Sequence, residues 1–275
     1  MQTSRMRIRI VPRAPSEGAP LRMTRVRRGF TLIELAMVLF IVAMLLGGLL
    51  LPLAGQQDLR SHGDTQKILA DARDALLGFA MANDRLPCPA SATSNGLESP
   101  VGGGVCTNPH DGFVPAVTLG LAPVDAQGYL LDGWGGDSVH RVRYALSTAN
   151  TSAFSTASGM KTAGMTALAP DLEICNTGAQ VRIPPQTTAP DTSPKYCHPS
   201  FRLAGDAVAV IYSLGKNAGT GGAGADENHN PNPQSTLAAD PAFVNASQSP
   251  TFDDQMIWLS RNALFNRMVV AGRLP

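Results

Sequence analysis

Arg27-Arg28-Gly29-Phe30-Thr31-Leu32-Ile33-Glu34-Leu35 opens an almost unbroken apolar run that continues to Ala54. Two arginines, a glycine, a phenylalanine and one acid at the head of a greasy helix describe both a processing site and a membrane anchor. From Leu35 to Gly55 no residue is charged, and a helix of that length, at about 1.5 Å per residue, spans roughly 30 Å, enough to cross a bilayer once. Glu34 is the exception: a carboxylate in an apolar helix is costly unless it is paired, which makes it a functional candidate. The plainer alternative is an acid in the first turn complementing the helix dipole.

Working outward to the N-terminal side, residues 1 to 29 hold eight arginines (Arg5, Arg7, Arg9, Arg13, Arg22, Arg25, Arg27, Arg28) and one acid, Glu17. Positive charge flanking an apolar segment resists translocation, so this end is expected in the cytoplasm. A start at the internal Met23 would shorten the leader to a few residues. The 275-residue chain has a formal net charge of +1, with 22 basic and 21 acidic side chains. Without residues 1 to 29 the charge is about −6, which argues against nucleic acid as the main partner.

On the other side, Gly47, Gly48 and Pro52 predict a kink or local unwinding near the far end of the apolar run. Beyond Asp58 apolar residues recur at helical spacing (Leu59, Ile68, Leu69, Ala72, Leu76, Phe79, Ala80) among Asp64, Lys67, Asp71, Arg73 and Asp74. This amphipathic pattern continues the anchor helix to about Asn83, before Leu86-Pro87. The segments follow as a leader over 1–29, a membrane-spanning half-helix over 30–54, an amphipathic half over 55–84, and a globular head over 85–275.

The head holds most of the 27 glycines and 21 prolines, so turns and loops should dominate it. Val142, Tyr144 and Leu146 alternate with Arg141, Arg143 and Ala145, Leu172 to Cys175 is a short strand, and residues 184–199 form a proline-rich loop. Ala207 to Ser213 is an uncharged β-rich run whose continuous apolarity predicts cover on both faces. Met256 to Leu259 reads as a last strand, and 262–271 as a helix with Leu264, Phe265 and Met268 on one side. Cys88, Cys106, Cys175 and Cys197 are an even set in a region expected to be exported, so disulfides are the default. Local pairing, Cys88 with Cys106 and Cys175 with Cys197, is expected, each loop worth about 3 kcal/mol; the other two pairings stay open. Zinc would need closer ligand groupings. The histidines at 62, 110, 140, 198 and 229 are scattered, and no G-x-S-x-G elbow or P-loop occurs, so no enzyme activity is expected.

Gly29-Phe30-Thr31-Leu32-Ile33-Glu34 before a hydrophobic span closely resembles the class III signal of type IV prepilins and type II secretion pseudopilins. The resemblance implies cleavage between Gly29 and Phe30 by a prepilin peptidase, N-methylation of the new Phe30 amine, and assembly in which Glu34 pairs with that amine on a neighbouring subunit. It implies an α+β, lollipop-shaped protein: a long N-terminal helix, half in the inner membrane and half packed on an antiparallel sheet, with a periplasmic head. The implied partners are other pilin or pseudopilin subunits and an inner-membrane assembly platform. Asp84-Arg85-Leu86-Pro87, Asp132-Gly133-Trp134-Gly135 and the glycine-rich Ser213 to Gly222 resemble, in order, landmarks of major pseudopilins. The long stretches between and after them point to a minor pilin-like subunit. Those pseudopilins hold calcium in the glycine-rich loop; here Asp226, Asn228 and Asn230, with Glu227 among them, are the candidate ligands, although Lys216-Asn217-Ala218 departs from the acidic pattern.

Overall fold

The computed structural model describes residues 29–178, 181–182, 196–220, 224–231 and 240–274, without the side chains of 48–54, 181–182 and 196. The leader before Gly29, and most of the proline-rich loop expected over 184–199, lie outside the described residues. The chain divides into two compact units, Met1–Pro52 and Leu53–Pro275.

Helix α1 runs from Leu32 to Asn83. Thr31 precedes it, and its hydroxyl accepts the Glu34 N–H at 3.3 Å while the Glu34 carboxylate accepts the Thr31 N–H at 3.3 Å. This reciprocal capping box satisfies donors that the first turn leaves unpaired. The backbone stays helical across Gly47, Gly48 and Pro52, so the expected unwinding is not observed; the missing Pro52 donor costs one bond without stopping the helix. Among the described residues, no helix is long and apolar enough to cross a membrane.

Within the second unit α1 buries Thr65, Leu69, Ala72, Leu76, Leu77 and Ala80. Apart from the adjacent Leu76 and Leu77, these lie three or four apart, along one stripe. Leu59, expected on that face, is instead 74% exposed. The helix ends where Asp84 takes a left-handed φ of 59°, its N–H bonded to the Ala80 carbonyl at 3.0 Å, and the following Leu86-Pro87 forbids continuation. No basic residue occupies the last turn. Arg273 supplies the charge from the far end of the chain, donating to the carbonyls of Met81 at 2.9 Å and Ala82 at 3.1 Å.

The remaining elements are β1 (Gly112–Phe113), α2 (Ala116–Leu119), β2 (Arg143–Leu146), two short helical turns α3 (Ala149–Ser152) and α4 (Gly159–Ala163), β3 (Leu172–Cys175), the β4–β5 pair (Val181–Arg182 and Tyr196–Cys197), β6 (Arg202–Ser213), β7 (Ala242–Val244), β8 (Gln255–Ser260) and α5 (Arg261–Val270). The main sheet has the order β1-β2-β6-β3-β7, with β8 also paired to β6. Strand β6 is the organiser. Its second half lies between β2 and β8, with Ile211 opposite both Tyr144 and Ile257, and its first half pairs with β3, Ala204 opposite Ile174. An antiparallel sheet was expected; the β3–β7 pair is parallel, Ile174 opposite Phe243. The sheet is therefore mixed, because the chain between those strands passes through β6 and a long loop before returning in the same direction.

Residues 207–213 of β6 are buried on both faces. Ala209 and Ile211 enter the main core with Leu69, Leu76 and Tyr144. Val210 and Tyr212 enter a second core with Phe243 and Leu172. Alternation along one strand thus serves two layers, which explains its unbroken apolarity. Helix α5, N-capped by Ser260, buries Leu264, Phe265 and Met268 in the main core. Disulfides join Cys88 to Cys106 and Cys175 to Cys197, the second within a third small cluster that includes Val244 and Phe252.

Candidate functional site

Two places hold the residues singled out from the sequence. At the N-terminal side, Gly29, Phe30 and Thr31 are non-helical and exposed, with Phe30 82% exposed. A Cβ added at Gly29 would meet nothing within 4 Å, so nothing among the described residues requires glycine there. Glu34 is exposed and, among the described residues, bonded only to Thr31, at 3.3 to 3.4 Å. Large apolar side chains from Leu32 to Leu46 are exposed all around the helix, from Val42 at 43% to Leu32 at 86%. The pattern Thr31-x-x-Glu34 was a local signal for the capping box that the reading of Glu34 as a lone acid passed over.

The second place lies between the glycine-rich loop and the start of β8. Asp226, Asn228 and Asn230 do not form a common site through their side chains. The Asp226 carboxylate accepts from the Thr177 hydroxyl at 2.9 Å and the Gly178 N–H. Asn230 is buried, donating to the Val244 carbonyl at 2.9 Å and the Asp254 carboxylate at 2.6 Å, and Asn228 is exposed. The carboxylates that converge are Glu227, Asp253 and Asp254, whose oxygens lie within 4.8 Å of one another. Backbone and amide donors hold them: the Asp253 N–H donates to Glu227 at 2.7 Å, and the Asn217 amide donates to Glu227 at 3.2 Å. Lys216 and Asn217 give their backbone N–H groups to Asp253 at 2.9 and 3.2 Å.

Burial first, then the neighbouring Glu227, pushes the Asp253 carboxyl up to about 6. Asp254 rises to about 8, through burial and the charges of Glu227 and Asp253, against the bond from Asn230. Lys216 lends this cluster only its backbone, since its ammonium pairs with Asp58 at 2.8 Å. The oxygens of Asn217 (Oδ1) and Asp253 (Oδ1) are buried without a hydrogen-bond partner. Acid and amide oxygens in this number, with two orphaned, fit a hard divalent cation such as calcium rather than zinc, which takes nitrogen and sulfur. Glu227, Asp253 and Asp254 are the residues to hold it, and the cation would supply the positive charge that three clustered carboxylates lack. Glu227 and Asp253 are 26 positions apart, so the sequence offered no local spacing to find them; only the Asp253-Asp254 doublet hinted at it.

The other landmarks serve packing. Asp132, buried, accepts from the Ser213 hydroxyl at 2.6 Å and from the Trp134 N–H at 2.9 Å, with His140 Nδ1 at 3.5 Å. Burial raises its carboxyl, with the bonds from Ser213 and Trp134 opposing. Serine donates here to the acid and not to the imidazole, which differs from the serine–histidine pairing of a catalytic triad. Gly133 touches α1, donating its N–H to the Thr65 hydroxyl at 3.0 Å, and a Cβ there would sit 2.3 Å from the Ser61 carbonyl oxygen.

Residues 24–50 match the prokaryotic N-terminal methylation motif. No curated protein and no solved structure matches the chain. The matched stretch contains Gly29, Phe30, Glu34 and the exposed apolar residues that follow them. This amino-terminal motif is what the chain shares with type IV pilin-like and pseudopilin proteins.

Proposed function

We propose that the chain is a structural, minor pilin-like subunit, cut between Gly29 and Phe30, N-methylated on Phe30, and assembled into a type IV pilus-type filament. The observation that carries this reading is the methylation motif over 24–50 together with an exposed, non-helical Gly29-Phe30 pair. A peptidase needs its substrate backbone extended, and Gly29, which no described neighbour requires to be glycine, suits a partner's narrow subsite. The apolar side chains from Leu32 to Leu46 require cover. A bilayer would supply it before assembly and neighbouring subunit helices afterwards, which supports a precursor in the inner membrane with its head in the periplasm. Glu34 would then exchange the Thr31 bonds for a neighbour's Phe30 ammonium, a pairing that leaves no charge uncompensated only when subunits stack in register.

Mass spectrometry of the mature N-terminus tests the reading. The expected product begins with methylated Phe30; an unprocessed N-terminus in membranes overturns it. A type II secretion pseudopilin is the second reading, favoured by the order of the landmarks around Arg85, Trp134 and Ser213. Surface filaments lost on deletion support the pilus, and loss of secretion without loss of surface filaments supports the pseudopilin. A binding head displayed on a pilin stem is the third, and it predicts lost attachment with normal filament numbers when head loops are deleted.

A further inference from the structure

One edge of the main sheet, along β8, is open. Ser147 donates its N–H to the Val208 carbonyl, while the Leu146 N–H turns away to Pro109. With Leu146 opposite Ala209, this alternation gives the backbone groups of Val208, Val210 and Tyr212 to β2 and those of Ala209, Ile211 and Ser213 to β8. Their partners on β8 are Leu259, Ile257 and Gln255. The N–H and C=O groups of Met256 and Trp258 therefore point off the sheet, and no hydrogen bond from another described residue meets them. The outermost strands on the other side are covered. Ala90 bridges to Phe113 of β1, and the Asn230 side chain accepts the Val244 N–H of β7 at 2.8 Å and donates to the Val244 carbonyl at 2.9 Å. Strand β8 has no such cover, and its sequence Gln-Met-Ile-Trp-Leu-Ser holds neither the charge nor the proline that blunts an exposed edge. Two cavities open along it: one of about 390 Å³ between Gln66 of α1 and residues 255–257, the other of about 360 Å³ between Arg73 of α1 and residues 258–260. Gln66 and Arg73 are two turns apart on one face of α1, so helix and strand edge form the two walls of one groove.

We propose that this groove docks an extended, acidic segment of a partner protein, which adds to the sheet as a strand beside β8. The backbone of Met256 and Trp258 offers it two donors and two acceptors. Charge selects the occupant. Arg73 and Arg267 both line the cavity beside residues 258–260; Arg73 pairs with its exposed neighbour Asp74 at 3.0 Å, and Arg267 is exposed, without an ion pair among the described residues. A carboxylate on the added strand would face both guanidiniums, in a chain that beyond residue 29 has more acidic than basic side chains. A second copy of the chain fits less well. Its β1 and β7 edges are taken, and its β8, running antiparallel, would set a wall of carboxamides (Gln66, Asn245 and Gln248) against the arginines, with the one acid of that wall, Asp254, buried. The groove belongs wholly to the second unit, so the proposal goes beyond the filament reading and stands or falls without it.

The test is hydrogen–deuterium exchange, resolved to single amides, of the full-length protein in detergent micelles. The probes are a short peptide alternating glutamate with valine or threonine, its lysine counterpart, and the acidic peptide N-methylated throughout. Without peptide, the amides of Met256 and Trp258 should exchange about tenfold or more faster than those of Ile257 and Leu259. The acidic peptide should slow those two amides about fivefold or more, while the lysine peptide and the N-methylated peptide, which has no N–H to give, should not. Arg267→Glu, an exposed substitution that leaves the strand edge intact, should raise the acidic peptide concentration needed for half the slowing about threefold or more. Slow exchange at Met256 and Trp258 without peptide, at every protein concentration, overturns the open edge. Slowing that grows with protein concentration alone assigns the edge to a second copy and overturns the acidic partner. Equal slowing by the lysine peptide, or an unchanged response in Arg267→Glu, overturns the charge selection. No slowing by the acidic peptide at about millimolar concentration overturns the docking site itself.

Discussion

Replacing Arg85 by methionine should destabilise the head by about 3 to 5 kcal/mol, the range for removing one partner of a buried ion pair. Arg85 and Glu98 form two 2.7 Å bonds, with side chains only 9% and 5% exposed. Glu98 also accepts the N–H groups of Cys88 at 3.2 Å and Gly102 at 3.1 Å, so it fastens the end of α1 to the loop closed by the Cys88–Cys106 disulfide. Without the guanidinium the carboxylate keeps two backbone donors and no counter-charge. The double variant Arg85→Met/Glu98→Leu removes both charges and should recover most of the loss, leaving a coupling energy of about 2 to 4 kcal/mol. Urea unfolding followed by the fluorescence of Trp134 and Trp258 reads these values. Burial pushes the Glu98 carboxyl up, but the bonds from Arg85, Gly102 and Cys88 outweigh it and hold the group below its ordinary 4.5. The pair's contribution is thus full above the ordinary carboxylate range and is lost as pH falls through it, so the penalty of Arg85→Met should shrink on acidification. A single-variant cost under about 1 kcal/mol, or one that Glu98→Leu does not relieve, would refute the reasoning.

Other substitutions test the remaining joints. Arg273→Ala removes the two bonds to the last carbonyls of α1 and the 3.2 Å pair with Asp84; a loss of about 1 to 2 kcal/mol in urea unfolding, with faster exchange confined to residues near 80–84, is expected. Gly133→Ala drives a methyl against the Ser61 carbonyl and should cost about 1 to 3 kcal/mol and shift Trp134 emission. Glu34→Gln keeps a capping-box residue, because glutamine also serves at this position; processing after Gly29 should persist while incorporation into filaments falls, read by fractionating sheared filaments from membranes. Equal incorporation by Glu34→Gln and the parent would remove the charge from the assembly step.

What the sequence made legible was local. Continuous apolarity marked residues 207–213, three-and-four spacing marked Leu69 to Ala80 and Leu264 to Met268, and the pre-proline rule marked the end of α1 near Asn83. Each depends on neighbours within a few positions. The features that stayed hidden join distant positions: Arg273 caps a helix 192 residues earlier, Lys216 reaches back 158 residues to Asp58, and the carboxylate cluster needs Asp253 and Asp254 beside Glu227. The parallel pairing of β7 was equally hidden, because a three-residue strand carries no directional signal. Choosing Asp226, Asn228 and Asn230 followed spacing within one loop, where tertiary bonding to Thr177 and Val244 had the stronger claim on two of those side chains.

The capping box changes how Glu34 should be weighed. A carboxylate bonded to its own Thr31 is already placed where the helix dipole favours it, so its position needs no neighbouring subunit. Those bonds are long, at 3.3 to 3.4 Å, and solvent-exposed, and bonds of that length contribute little. A cation at the same end is the opposite case: an ammonium on Phe30 would face the positive pole of its own helix, which disfavours it. In the proposed assembly the amine therefore has more to gain than the acid, and a neighbour's Glu34, held ready by a weak cap, is the group that can compensate it. The weak cap and the new amine together account for an acid that the single chain does not need to bury.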